Sequence, residues 1–242
     1  MEPLKITFSV VGGFVPPPYP LHLDSLAAYA ETQFGLDSSN PELPKDIVTL
    51  RSLADDLPFA KHEEEGDWVW KSSAIIPEGD VNHTSRFYTQ RMDKAAFADH
   101  VGSGLVQMGR YEPDLKLPPG KNMKPYQGLI DTLRGPHRNM LGYYPLMDVS
   151  KLVAWCIGDK EVLEELFIHS GLITHLGARR RSGHGTVSSV SVDTCDEANE
   201  LWKLRVRPWQ MRDDDAMIQA AWHPPYWASE NKGRAYCPTS LL

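Results

Sequence analysis

Apolar and polar positions alternate from the start of the chain. Leu4, Ile6, Phe8 and Val10 face one way and Lys5, Thr7 and Ser9 the other, a period of two that predicts a strand with one buried face, ended by Gly12 and Gly13. The prolines at 16, 17, 18 and 20 fix φ and remove amide donors, so the stretch around Tyr19 is an extended crossover. Leu26, Ala27, Tyr29, Ala30 and Phe34 then recur at helical spacing, with Asp24 or Ser25 as N-cap and Gly35 placed to stop the helix. Segments 68–76 and 84–91 read as strands joined by the turn residues Pro77, Glu78, Gly79 and Asp80, hence as a hairpin. The continuous apolar run 151–157 reads as a buried strand and 161–168 as an amphipathic helix with acids in its first turn; 186–192 alternates as a strand again. This order predicts an α+β fold with a ferredoxin-like, or RRM-like, βαββαβ core in a single domain spanning 1–242. Two long insertions, acidic at 36–67 and basic at 100–138, enlarge it, and an aromatic- and proline-rich tail follows at 213–242.

Composition is that of a packed globular protein, with 41% hydrophobic and 24% charged residues in 242. No apolar run approaches the roughly 18 to 20 residues that cross a bilayer, and no secretion signal is apparent, so a cytoplasmic protein without a membrane partner is expected. Cys156, Cys195 and Cys237 are widely spaced and form no CxxC, which points to reduced thiols.

Net charge is −7, which by itself speaks against a nucleic-acid partner. The distribution reverses that inference. Residues 24–67 hold eleven acids and three bases, a local −8, leaving 22 bases against 21 acids elsewhere. Two zones are basic: 110–138, with six bases to three acids, and 169–212, with seven to four. Charge clusters of this kind also mark solvated surface.

The densest chemistry lies in Arg179, Arg180, Arg181, Ser182, Gly183, His184 and Gly185, between a helix and a strand. Glycines let backbone amides approach a ligand closely and the arginines supply charged planar forks, a combination suited to a polyanion. No GxxxxGK[ST] is present and the loop precedes a strand rather than opening a helix, which argues against a nucleotide-triphosphate or dinucleotide cradle. Upstream, Tyr19 can stack on a base. His22, between Leu21 and Leu23, admits three roles: a hydrogen-bonded structural residue, an RNA contact or a general base. The tail segment of Trp222, His223, Pro224, Pro225, Tyr226 and Trp227 either covers the core or meets a partner. The run Asp213, Asp214, Asp215 reads as a solvated turn. Neither a metal site nor a cofactor is expected.

Taken together, Pro3 to Phe8, the stretch Pro20, Leu21, His22, Leu23, Asp24, Ser25, the loop Arg179 to Gly185 and the tail from Trp222 to Trp227 resemble the RAMP superfamily of CRISPR proteins. Within it, the similarity is to the Cas-family-five-like subunit of type IV effector complexes. That resemblance implies a non-catalytic subunit that caps the repeat-derived 5′ handle of the crRNA. It also implies neighbours: a Cas-seven-like backbone subunit, a Cas-eight-like large subunit, a separate repeat-processing endonuclease, target DNA within the complex and a DinG-type helicase recruited to it. By position the family's RNA-binding glycine loop falls on Arg179, Arg180, Arg181, Gly183, His184 and Gly185. A projecting thumb is assigned to 100–138 on the strength of Arg110, Tyr111, Lys116, Lys121, Lys124 and Tyr126. Tyr19, His22, Arg86 and Arg91 complete the candidate RNA-binding set. Some relatives on this fold place a general-base histidine near the first helix, so the competing expectation is a metal-independent repeat-RNA endoribonuclease using His22. The acidic segment 24–67 is expected to lie away from the RNA or to contact a basic neighbour.

Overall fold

The computed structural model describes residues 1–34, 55–91, 103, 138–226 and 228–242. The chain divides into two units, one formed by 1–84 with 145–242 and the other by 85–144.

In the first unit, the alternation read at the N-terminus becomes β1 (Glu2–Val11), with Leu4, Ile6 and Phe8 fully buried. It is followed by α1 (Leu23–Phe34), the short strands β2 (Lys61–Glu64) and β3 (Asp67–Trp70), and the three-residue β4 (Ile76–Glu78). After β5 (Asn82–Gln90) and β6 (Met140–Asp148) come β7 (Lys151–Gly158), α2 (Lys160–Glu164, continued by a wider helical turn over Glu165–His169), β8 (Thr186–Thr194), α3 (Ala198–Leu201), β9 (Asp215–Ala221) and β10 (Lys232–Pro238). The main sheet has the order β4-β7-β1-β8, antiparallel throughout.

The sheet explains why 151–157 carries no alternation. Leu152, Ala154 and Cys156 of β7 face the core shared with Leu23, Ala27, Leu163 and Phe167 of the helices. Val153 and Trp155 face the opposite side, where Ala198 covers them. A strand buried on both faces needs apolar residues at every position. Asp159 caps α2, accepting the Val162 N–H at 3.3 Å. A bulge between Ser9 and Val10 shifts the register, after which Val10 and Val11 pair with Val187 and Thr186 of β8.

Three sequence expectations need correction. β3 pairs with β2, β4 with β7 and β5 with β6, so the strands expected at 68–76 and 84–91 do not form a hairpin with each other. The reason lies in the stretch ahead of them. The acidic stretch turns at Glu65 and Gly66, both at positive φ, into the β2–β3 hairpin, and just ahead of it Leu57 and Phe59 enter the core. Asp24 is not a helix cap; its carboxylate is wholly buried and paired with Arg205. In the third case Asp213 and Asp214 are exposed as expected of a turn, but the Asp215 side chain is buried against Arg207 at 2.8 Å.

Both Cys156 and Cys237 are buried, Cys195 is half-buried, and all three are free thiols. Burial pushes the Cys156 thiol far up and the Cys237 thiol to about 11. In the second unit, Tyr88 of β5 lies against Gly142 and Tyr144 of β6, while Phe87, Leu141 and Tyr143 are exposed.

Candidate nucleic-acid interface

The end of β1 is a ledge on which the arginine loop is laid. Past the bulge, Gly13 O accepts the Gly185 N–H at 2.7 Å and Val15 O accepts the Ala178 N–H at 2.9 Å. Leu176 N–H donates to Gly185 O at 2.8 Å, closing the loop on itself. His184 Nδ1 lies 2.7 Å from Gly12 O, and because a carbonyl only accepts, the proton of that bond sits on Nδ1. Gly185 has φ +65°, and a Cβ there would stand 1.9 Å from Leu176 O, so no L side chain fits without moving the backbone.

Between these anchors Arg179 adopts a left-handed conformation at φ 57°, and a single 3-10 turn over Arg180–Ser182 follows. A non-glycine residue held there costs roughly 1–2 kcal/mol, which the stitched ends of the loop must offset. Arg179, Arg180 and Arg181 are all exposed. Three exposed cations thus stand on one tight turn whose backbone is pinned to the sheet, a chemistry suited to an anionic ligand.

A second polar centre lies at the N-terminus of α1. The segment before α1 pairs with 73–75: Leu23 N–H donates to Ser73 O at 3.0 Å and Ile75 N–H to Leu21 O at 2.7 Å. Arg205, fully buried, reaches into this junction. It bonds Asp24 Oδ2 at 3.0 Å, Ser72 O at 2.9 Å and Tyr226 Oη at 3.1 Å, and also the carbonyls of Trp70 and Trp222. Tyr226 in turn donates to Asp24 Oδ1 at 2.7 Å. Burial first, and then the Asp24 carboxylate, push the Tyr226 phenol well above its ordinary value, so it stays a donor. The tail segment therefore closes over the core, and Trp68 stacks on His223 with centroids 4.6 Å apart.

His22 is 3% exposed; its Nε2 accepts the Val206 N–H at 3.1 Å and its ring stacks on Tyr226 at 5.0 Å. Burial, with the Arg205 charge second, holds its imidazole well below the usual histidine range. Folded His22 is therefore neutral at a pH where an unfolded chain protonates it. The unfolded state binds the extra proton, so stability is full above about pH 6.5 and falls as pH drops below it. Urea unfolding at pH 7.5 and 5.5 is expected to differ by roughly 1 kcal/mol more in the wild type than in His22→Gln, whose amide keeps an acceptor without a titrating group. Equal differences in the two proteins would refute this role.

Of the sequence-predicted residues, the loop from Arg179 to Gly185, Tyr19 and His22 belong to the first unit, and Tyr19 is 66% exposed. Arg86 and Arg91 are exposed in the second unit. Arg110, Tyr111, Lys116, Lys121, Lys124 and Tyr126 lie outside the described residues. Sequence reasoning missed Gly12, Gly13 and Val15 as the loop's ledge, and Arg205 as partner of Asp24. Gly12 and Gly13 had been assigned only to ending β1. Nothing local marks a pair 181 residues apart. Among the described residues no group of acidic, histidine or cysteine side chains is arranged to hold a metal. No described helix is long and apolar enough to cross a membrane.

A family model described as CRISPR type IV associated protein Csf3 matches residues 2–238. No curated protein matches the chain.

Proposed function

Because the chain belongs to the Csf3 family of type IV CRISPR-associated proteins, we propose that it is a non-catalytic crRNA-binding subunit that caps the repeat-derived 5′ handle. The carrying observation is the arginine loop pinned to the end of β1. The loop backbone is held by its own hydrogen bonds and by those to Gly13 and Val15 before RNA arrives, so little backbone ordering entropy opposes binding by the three arginines. A ferredoxin-like, RAMP-type core is supported by the strand order β4-β7-β1-β8, in which β1, β4, β7 and β8 act as first, second, third and fourth strands and α1 and α2 follow the first and third. In this proposal the neighbours are a Cas-seven-like backbone subunit and a Cas-eight-like large subunit, with target DNA and a DinG-type helicase joining the assembled particle. The described acids at 63–65 and 67 sit on the β2–β3 hairpin, away in sequence from the loop, and are assigned to a face that avoids the guide.

The non-catalytic assignment is supported by His22. A general base needs an accessible lone pair, whereas Nε2 here accepts a backbone amide in a buried site.

The test is the triple variant Arg179→Ala, Arg180→Ala, Arg181→Ala in the complex purified through a tag on this chain. Guide RNA retained at about 0.15 M salt is expected to fall at least about tenfold, and the log–log salt slope by roughly 2, as three single-strand phosphate contacts are lost. Unchanged RNA retention would sink the proposal.

A further inference from the structure

Two cavities flank the crossover between β1 and α1. The first, about 310 Å³, opens between that crossover and the β9–β10 hairpin. Tyr19 stands at its mouth, His22 and Tyr226 line it as a pair stacked at an interplanar angle of 4°, and Gln219 and Lys232 supply polar groups. The second, about 260 Å³, shares Pro17, Leu21 and Ser25 with the first and reaches His175 and Arg180 of the loop region. Among the described residues, no carboxylate lines either cavity. Cations mark both ends of the pair: Arg180 at one, Lys232 at the other, with Arg234 beside Gln219 in the register of β9 and β10.

We propose that the first cavity takes a single unstacked nucleobase of the bound RNA, while the adjoining trough leads the strand's phosphates to Arg180. This inference rests on the proposed RNA binding and deepens it. An apolar, aromatic-lined slot with an amide and an ammonium among its polar groups matches a flat heteroaromatic ring that presents adjacent donors and acceptors. Cations on either side then match the phosphates that flank a splayed nucleotide on both its 5′ and 3′ sides. An aliphatic ligand would leave Gln219 and Lys232 without use.

Ultraviolet cross-linking of the RNA retained by the tagged full chain in its complex, followed by mass spectrometry of peptide–nucleotide adducts, tests this directly. Adducts are expected on Tyr19 and on the β9–β10 peptide as well as on the 179–185 loop. In Tyr19→Ala, an exposed and fold-neutral change, the β9–β10 adduct is expected to fall at least about fivefold, because one base–aromatic stack is lost, while loop adducts persist. The same fall is expected in Gln219→Ala. Adducts confined to the loop, or a hairpin adduct indifferent to both variants, would overturn the base pocket and leave RNA binding by the loop standing. Absence of any adduct on this chain would overturn both.

Discussion

Replacing Arg205 by alanine is expected to cost about 3–5 kcal/mol, a large share of the roughly 5–15 kcal/mol that holds a domain together. The guanidinium spans α1, the 70–72 segment and the tail with bonds to Asp24, Trp70, Ser72, Trp222 and Tyr226. Truncation leaves the wholly buried Asp24 carboxylate with the Tyr226 hydroxyl as its remaining side-chain donor among the described residues. The destabilisation comes from that stranded charge more than from the lost bonds. Two further variants separate these causes. Arg205→Lys keeps the charge but not the fork and is expected to recover only part of the loss. The double variant Arg205→Met, Asp24→Asn removes both charges and is expected to be more stable than Arg205→Ala, despite carrying one more substitution. Urea denaturation of the four proteins reads out the series, and an Arg205→Ala midpoint within about 1 kcal/mol of wild type would show that the network is not structural.

The second large effect concerns the loop and contrasts two of its glycines. Both adopt left-handed backbone, Gly183 at φ +80° and Gly185 at φ +65°. A methyl at Gly183 meets nothing within 4 Å, so Gly183→Ala carries only the conformational cost, about 1 kcal/mol. At Gly185 the same methyl meets the Leu176 carbonyl at 1.9 Å, and the backbone has to yield. That shift breaks the bonds from Gly185 N–H to Gly13 and from Leu176 N–H to Gly185, which hold the loop on the ledge. Gly185→Ala is expected to cost about 3 kcal/mol and to abolish guide RNA retention even where the protein still folds. Gly183→Ala is expected to retain RNA to within about threefold. Thermal unfolding and co-purified RNA are the two measurements, and indistinguishable behaviour of the two variants would mean that the ledge does not set the loop's geometry.

Local pattern revealed those elements whose burial is itself periodic or continuous. The alternation of Leu4, Ile6, Phe8 and Val10 marked β1, and the unbroken apolar run of β7 marked a strand covered on both faces. The arginine loop was visible because its residue types are unusual, and within it Arg180–Ser182 form a single 3-10 turn. What stayed hidden depends on partners distant in the chain. β4 is three residues long and includes Pro77; it is a strand only because β7 offers it a ladder at the sheet edge. The β2–β3 hairpin was masked by Glu63, Glu64, Glu65 and Asp67, whose charges occupy its exposed positions and imitate a solvated loop. Asp24 occupies a position where a cap is chemically plausible, and only Arg205 and Tyr226 reveal its role. His22 had three open roles, and the amide of Val206, 184 residues away, decides where its lone pair goes.

The pairing of Asp24 with Arg205 also sets an order of events during synthesis. A ribosome has to extend the chain 181 residues beyond Asp24 before the counter-charge exists, and a further 21 before Tyr226 arrives. Until then the α1 junction is an acid with no cation, and the seat of His22 lacks the Val206 amide and the Tyr226 ring. The ledge and the arginine loop, complete by residue 185, precede this closure.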